Sequence, residues 1–284
     1  MRYAAFETLI APARASAQPL RLLAGSALVV ALFVAMSAPY VALAAPLVAA
    51  AESRAPVVLL VLAQFALLIV ALAVALGLVH RRGIASLLGP PRRAARQFLR
   101  VAAHVLPLYL LLLFIPMPAP YDPSANMAPG TWARWLPLGL VAVAIQVAAE
   151  ELAFRGYLQS QLAARFSHPA VWIGVPSVLF GLVHQDPGQG MATGWPIVAW
   201  AMVFGALAAD LTARAGTLGP AMALHLINNL FAMLVMAPAG DLDGLALYTV
   251  PLDLGAPGAA ATILPIELGF TLCAWLAARL ALRV

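Results

Sequence analysis

The chain has no lysine, a single cysteine and little charge of either sign. Charged residues are only 10% of its 284 residues, and all sixteen basic residues are arginine. Ordinary globular chains carry about 25% charged and about 45–50% apolar residues. Here the apolar share is 64% and the mean hydropathy is +0.95, which excludes a water-soluble globular domain and indicates an integral membrane protein. With only Cys273, no disulfide can form within the chain, and its apolar surroundings mark a core or lipid-facing thiol. The net charge of +5 would suit nucleic acid, but the arginines lie between apolar stretches rather than on one basic face, so no nucleic-acid partner is expected. There is no Gly-rich phosphate loop, no haem motif and no His-Glu-x-x-His helix. No internal repeat stands out, which argues against an inverted-repeat transporter. The arginine bias and the abundance of alanine look like a GC-rich genome, and the expected location is a bacterial inner membrane.

A spanning helix needs about 20 mostly apolar residues. On that measure the fold class is all-α, a polytopic transmembrane helix bundle of about eight spans: 22–50, 57–79, 98–117, 135–158, 170–184, 195–212, 219–237 and 260–281. The fifth is short and is expected to run on into the polar 185–190 stretch or to pack inside the bundle. Ala42-Leu43-Ala44 resembles a signal cleavage site, but the polar stretch before it is too long for a usual signal peptide, so a retained anchor is expected. Three parts follow: 1–131 with about three spans and a basic loop, a core at 132–237, and 238–284 with an outer loop and the last span. Arg2, Arg14 and Arg21, the Arg81–Arg100 group, and Arg165, Arg214, Arg279 and Arg283 fall at alternate span ends, with only Arg54 and Arg134 opposite. The positive-inside rule then puts both termini in the cytoplasm. Asp122, Asp186, Asp241, Asp243 and Asp253 fall on the other side.

One apolar stretch is chemically unlike the rest. After the uncharged Trp135–Ala149 come Glu150, Glu151 and Arg155 within about one and a half turns. Each charge at a bilayer centre costs roughly 2.5–3.5 kcal/mol on insertion scales, so such a cluster is a functional-site hypothesis by default. Residues four apart share a helix face, and acid-before-base is the favourable order. Glu151 therefore reads as the structural partner of Arg155. Glu150 is rotated about 140° from Arg155 and reads as the spare carboxylate, suited to act as a general base.

Two histidines sit in other apolar spans. His184 ends Phe180-Gly-Leu-Val-His184, and His225 begins His225-Leu-Ile-Asn228-Asn229. Asn229 shares the face of His225, with Asn228 about 60° to the other side. A single polar residue in each of several spans would face hydrocarbon, so they are expected to converge. His80, His104 and His168 read as interfacial residues, and Asp210 and Glu267 as bundle hydrogen-bonding groups or supports.

In order along the chain, Glu150-Glu151-x-x-x-Arg155, Phe180-x-x-x-His184 and His225-x-x-x-Asn229 resemble the CPBP family. It comprises the CAAX prenyl proteases and the bacteriocin-processing and immunity proteins, also called the Abi family. The resemblance covers roughly 132–237. It implies an intramembrane endopeptidase that cuts a membrane-associated protein or peptide, surrounded by membrane lipids. It also implies that Glu150 and His184 activate water while His225 and Asn229 stabilise the oxyanion, with Glu151, Arg155 and Phe180 in support. No metal or other cofactor is favoured, because Asn229 suits an oxyanion site better than a metal shell. The alternative is a zinc ion held by Glu150, His184 and His225. The competing class of function is a non-proteolytic immunity or scaffold protein, or a small-molecule transporter using the polar cavity. At the depths these spans give, His184 lies deeper than Glu150 and His225, so one helix must start inside the membrane or tilt. The cavity is expected to open towards the side of the termini.

Overall fold

The computed structural model describes residues 3–117, 121–185, 190–240, 242–253 and 258–284. Arg2, Asp186 and Asp241, used above to orient the chain, lie outside the described residues. The long elements are helices: α1 (Glu7–Arg14), α2 (Pro19–Ala49), α3 (Arg54–His80), α4 (Pro91–Leu112), α5 (Pro129–Arg165), α6 (Ala170–Leu182), α7 (Gly190–Ala215), α8 (Gly219–Val235) and α9 (Ala259–Leu282). Ala and Leu dominate them, and proline opens α2, α4, α5 and α8 where its missing N–H costs nothing.

Five of these are long and apolar enough to cross a membrane: α2, α3, α5, the Gly194–Ala215 part of α7, and α9. The expected fifth and seventh spans are the shorter apolar helices α6 and α8. The expected third span is α4, whose first half carries Arg92, Arg93, Arg96 and Arg100 while Val101, Val105 and Tyr109 are buried. The outward faces of α2 and α4 are strongly apolar, with Leu20, Leu23, Val30, Leu43, Leu106 and Leu110 exposed, as lipid-facing surface requires.

One core ties the chain together. Val101, Val105 and Tyr109 of α4 pack with Phe180 of α6, Phe204 and Leu211 of α7, Leu224 of α8 and Ala274 of α9. At one end of the bundle Phe6 and Leu9 pack with Leu162, Trp172 and Ala213, so the N-terminal segment seals the ends of α5, α6 and α7. Gly216, with a positive φ of +67°, makes the turn from α7 to α8, where a Cβ would strike the Ala5 carbonyl. At the other end β1 (Ser124–Ala125), β3 (Tyr248–Val250) and β2 (Met236–Pro238) form a small sheet in the order β1-β3-β2. β1 runs antiparallel and β2 parallel to β3, with Ser124 opposite Thr249 and Met236 opposite Tyr248. Beside it Arg54 reaches Asp243 at 2.9 Å, joining two charges that the sequence put on the same side.

The helix boundaries remove the depth conflict. α5 runs on to Arg165, so Glu150 lies fifteen residues before its end, while His184 lies fourteen residues after the start of α6 at Ala170. At about 1.5 Å per residue both are roughly 21–23 Å in from the same end of the bundle. α8 begins inside the protein, with Thr217, Leu218 and Ala221 fully buried, and this brings His225 to that level only six residues after Gly219.

Candidate active site

The two acids on α5 separate by face. Glu151 points into the protein and is fully buried; its Oε1 accepts from Arg155 Nη1 at 2.9 Å. The pairing follows the spacing. The helix changes just after the acids: Leu152–Leu158 is a π-helical segment, a local widening frequently found at functional sites. Gly156 lies within it, and a Cβ there would come to 2.9 Å from the Cβ of Leu87. The guanidinium of Arg155 also lies over the Phe180 ring, 4.2 Å from its centroid. Phe180 therefore packs between Arg155, His184 (4.6 Å between centroids) and His225 (5.9 Å) and makes no polar contact through its side chain.

Glu151 has a second partner that sequence spacing did not reveal. His225 Nδ1–H donates to the same Oε1 at 2.7 Å, so one carboxylate fixes both Arg155 and the imidazole. The other ring nitrogen, Nε2, lies 3.6 Å from Glu150 Oε2. With Nδ1–H committed to Glu151, a neutral His225 would present a lone pair to a carboxylate lone pair. A proton held on either Glu150 or His225 removes that conflict. If His225 carries it, the two glutamates are balanced by Arg155 and the imidazolium. Glu150 Oε2 is buried and has no hydrogen-bond partner among the described residues.

His184 follows the end of α6. Its Nδ1–H donates to the Phe180 carbonyl at 2.7 Å, and because a carbonyl only accepts, the proton of the neutral ring is on Nδ1 and the lone pair on Nε2. Glu150, His184, His225 and Asn229 all line one cavity of about 710 Å³. Most of its wall is apolar, with Val29 and Phe33 from α2 and Leu68 and Leu72 from α3; a polar wall is formed by Gln146, Glu150, His184, His225, Asn228 and Asn229, and Ser26 and Tyr157 also line the cavity.

Asn229 is held by a hydrogen-bonded chain. Tyr109 donates to Asn228 Oδ1 at 2.9 Å, Asn228 Nδ2 donates to Asn229 Oδ1 at 3.0 Å, and Asn229 Nδ2 donates to Gln146 Oε1 at 2.8 Å. Gln146, Asn228 and Tyr109 were not expected in the site. Gln146 stands four residues before Glu150, so the spacing rule that paired Glu151 with Arg155 contained the signal. Asn228 reaches the cavity although it lies to one side of the His225–Asn229 face. Nothing in the sequence around Tyr109 pointed to it.

Two further expectations are corrected or made specific. His80 is buried, not interfacial: Gln161 Nε2 donates to its Nδ1 at 2.7 Å, and its Nε2–H donates to the Tyr157 hydroxyl at 2.9 Å. Tyr157 lines the cavity, so Ser16, His80 and Gln161 fill the space behind it on the side of the N-terminal segment. The lining also includes Ser26 near the start of α2 and Leu242 in the segment on the sheet side. Asp210 is a bundle-bonding group that accepts from Arg214 at 2.7 Å and Tyr3 at 2.8 Å. His104 and His168 are exposed.

Chemically, Glu150, His184 and His225 have donors that suit zinc, but among the described residues no three His, Cys, Asp or Glu side chains are grouped as metal ligands would be. The arrangement offers a spare carboxylate, an imidazole lone pair and amide and imidazole donors around one space, the set required for adding water to a carbonyl.

No curated protein and no solved structure matches the chain. Residues 132–231, which include Gln146, Glu150, His184, His225, Asn228 and Asn229, match the family model described as type II CAAX prenyl endopeptidase Rce1-like.

Proposed function

We propose that this protein is an intramembrane endopeptidase of a bacterial inner membrane that hydrolyses peptide bonds in a membrane-associated protein or peptide, with Glu150 as the general base. The observation that carries the reading is the division of labour between the acids. Glu151 neutralises Arg155 and orients His225, leaving Glu150 Oε2 without a hydrogen-bond partner at the cavity, 3.6 Å from His225 Nε2.

With the shared proton on His225, Glu150 is a bare carboxylate and Nε2–H is a donor. A water bound between Glu150 and His184 gives one hydrogen bond to each, His184 accepting through Nε2. Its oxygen adds to the scissile carbonyl carbon as its proton passes to Glu150. The oxyanion accepts from His225 Nε2–H and the amide of Asn229, each donor worth about 2.7–4 kcal/mol when well placed. Collapse breaks the C–N bond, and Glu150 returns the proton to the departing amine. The Tyr109–Asn228–Asn229–Gln146 chain keeps the Asn229 amide from rotating. The apolar remainder of the cavity suits a substrate segment drawn from the lipid phase. No metal takes part in this scheme.

The test is a comparison of membrane-protein termini in cells making the wild type or Glu150→Gln at equal levels. New termini present with the wild type and missing with Glu150→Gln support the reading and identify the substrate. Identical termini, with both proteins folded, would reject it.

A further inference from the structure

A second cavity, of about 370 Å³, lies behind the first and shares Trp200, Asn228 and Ala232 with it. Four aromatic side chains line it: Tyr109 from α4, Trp200 from α7, Phe231 from α8 and Phe270 from α9. The Tyr109 ring meets Phe270 edge-on at 4.7 Å between centroids and Phe231 at 5.6 Å. One ionisable side chain joins them. Glu267, three residues before Phe270 on the apolar helix α9, lines the cavity, and among the described residues its carboxylate accepts no hydrogen bond and forms no ion pair. Only its backbone carbonyl is engaged, accepting from Thr271 Oγ1 at 2.7 Å. Tyr109 cannot supply the missing donor, because its hydroxyl donates to Asn228.

Glu267 is exposed on a helix long and apolar enough to cross a membrane, where an ionised carboxylate is costly unless a cation pairs with it. Aromatic faces attract cations, and rings grouped around an acid are how ammonium groups are recognised. We propose that this cavity is a binding site for an amphiphilic ammonium compound, its positive head between Glu267 and the rings of Tyr109 and Phe270 and its apolar part against Ile115, Ile263 and Ile266. A neutral amphiphile would leave Glu267 unpaired, and an anionic one would be repelled by it. The volume is that of an ordinary small-ligand pocket, about 300–1,000 Å³. The site shares Asn228 with the polar wall of the first cavity, but Glu267 and Phe270 are not part of that wall, and the proposal does not depend on what reaction occurs there.

The test uses the purified full-length protein in neutral detergent and two photoreactive probes with the same diazirine-bearing alkyl chain, one ending in trimethylammonium and one in a hydroxyl. The ammonium probe should saturably label α9 and the Tyr109–Met117 segment, and the hydroxyl probe should not. Glu267→Gln, which keeps shape, should lower ammonium labelling roughly several-fold, as loss of an exposed ion pair gives. Phe270→Leu is the second variant should Glu267→Gln fold poorly; it should weaken ammonium labelling several-fold, about what loss of one ring face costs. Competition by soluble tetramethylammonium would identify a free organic cation as sufficient, and competition only by lysophosphatidylcholine would identify a lipid headgroup; both support the site. Equal labelling by the two probes, or labelling untouched by folded Glu267→Gln and Phe270→Leu, would overturn it.

Discussion

Replacing Glu151 by glutamine tests whether the buried acid supports the site by charge. Glu151 and Arg155 are 0% and 1% exposed, and one oxygen of Glu151 accepts from both Arg155 and His225 at 2.9 and 2.7 Å. Glutamine retains the shape and one carbonyl acceptor but leaves the guanidinium with no full counter-charge. Removing one member of a buried ion pair costs about 3–5 kcal/mol. Arg155→Met should cost a similar amount, because it strands the carboxylate. The double variant strands neither, so its destabilisation should be no greater than that of either single variant, well short of the sum of about 6–10 kcal/mol that independent sites would give. The assay is unfolding of purified protein in mixed micelles, followed by tryptophan fluorescence, for the wild type, both single variants and the double. A double variant that loses the full sum would refute the argument that charge pairing holds this helix pair together.

Phe180→Ala should destabilise by about 3–5 kcal/mol, the usual cost of emptying a buried aromatic site; unfolding measurements check this, and a loss under about 1 kcal/mol would contradict its packing between Arg155, His184 and His225. Gly25→Val should destabilise by about 1–3 kcal/mol through overpacking, because a Cβ there meets the Tyr157 hydroxyl and lies 2.6 Å from His80 Nε2; no loss would mean that α2 is not seated on that pair. Arg82→Met should raise stability, since all three guanidinium nitrogens are buried without a hydrogen-bond partner among the described residues and burial pushes the group down to about 10, still charged at neutral pH. The expected gain is ~1–3 kcal/mol, the cost of unsatisfied buried donors, and a drop in the unfolding midpoint would contradict it. Asn229→Ala should lower turnover by about 10²–10³ with folding intact, as loss of one oxyanion donor does; peptide-cleavage rates check it, and unchanged turnover would remove Asn229 from the mechanism.

The assignment of the two acids was legible because it depends only on helix geometry: four residues bring Glu151 to Arg155, and five carry Glu150 away. The convergence of α5, α6 and α8 was legible from the cost of leaving Glu150, His184 and His225 in hydrocarbon. What sequence spacing could not carry were contacts between helices. The Glu151–His225 bond spans 74 residues and the Tyr109–Asn228 bond 119, and no local pattern marks either. His80 was misjudged because its neighbours Arg81 and Arg82 look interfacial, whereas its partners Ser16, Tyr157 and Gln161 come from elsewhere in the chain. The depth of His225 was misread for a related reason. Apolar pattern gives the length of α8, but its buried start at Gly219 depends on what packs beneath it.

The most direct test of the account is peptide hydrolysis by purified, exhaustively chelated wild-type protein and by Glu150→Gln, using a substrate identified from the comparison of termini. Chelated wild type should keep its rate, and Glu150→Gln should fall by about 10²–10⁴, the usual contribution of a general base. Equal rates for the two proteins, or a chelated wild type that is inactive until zinc is restored, would contradict water activation by Glu150 alone.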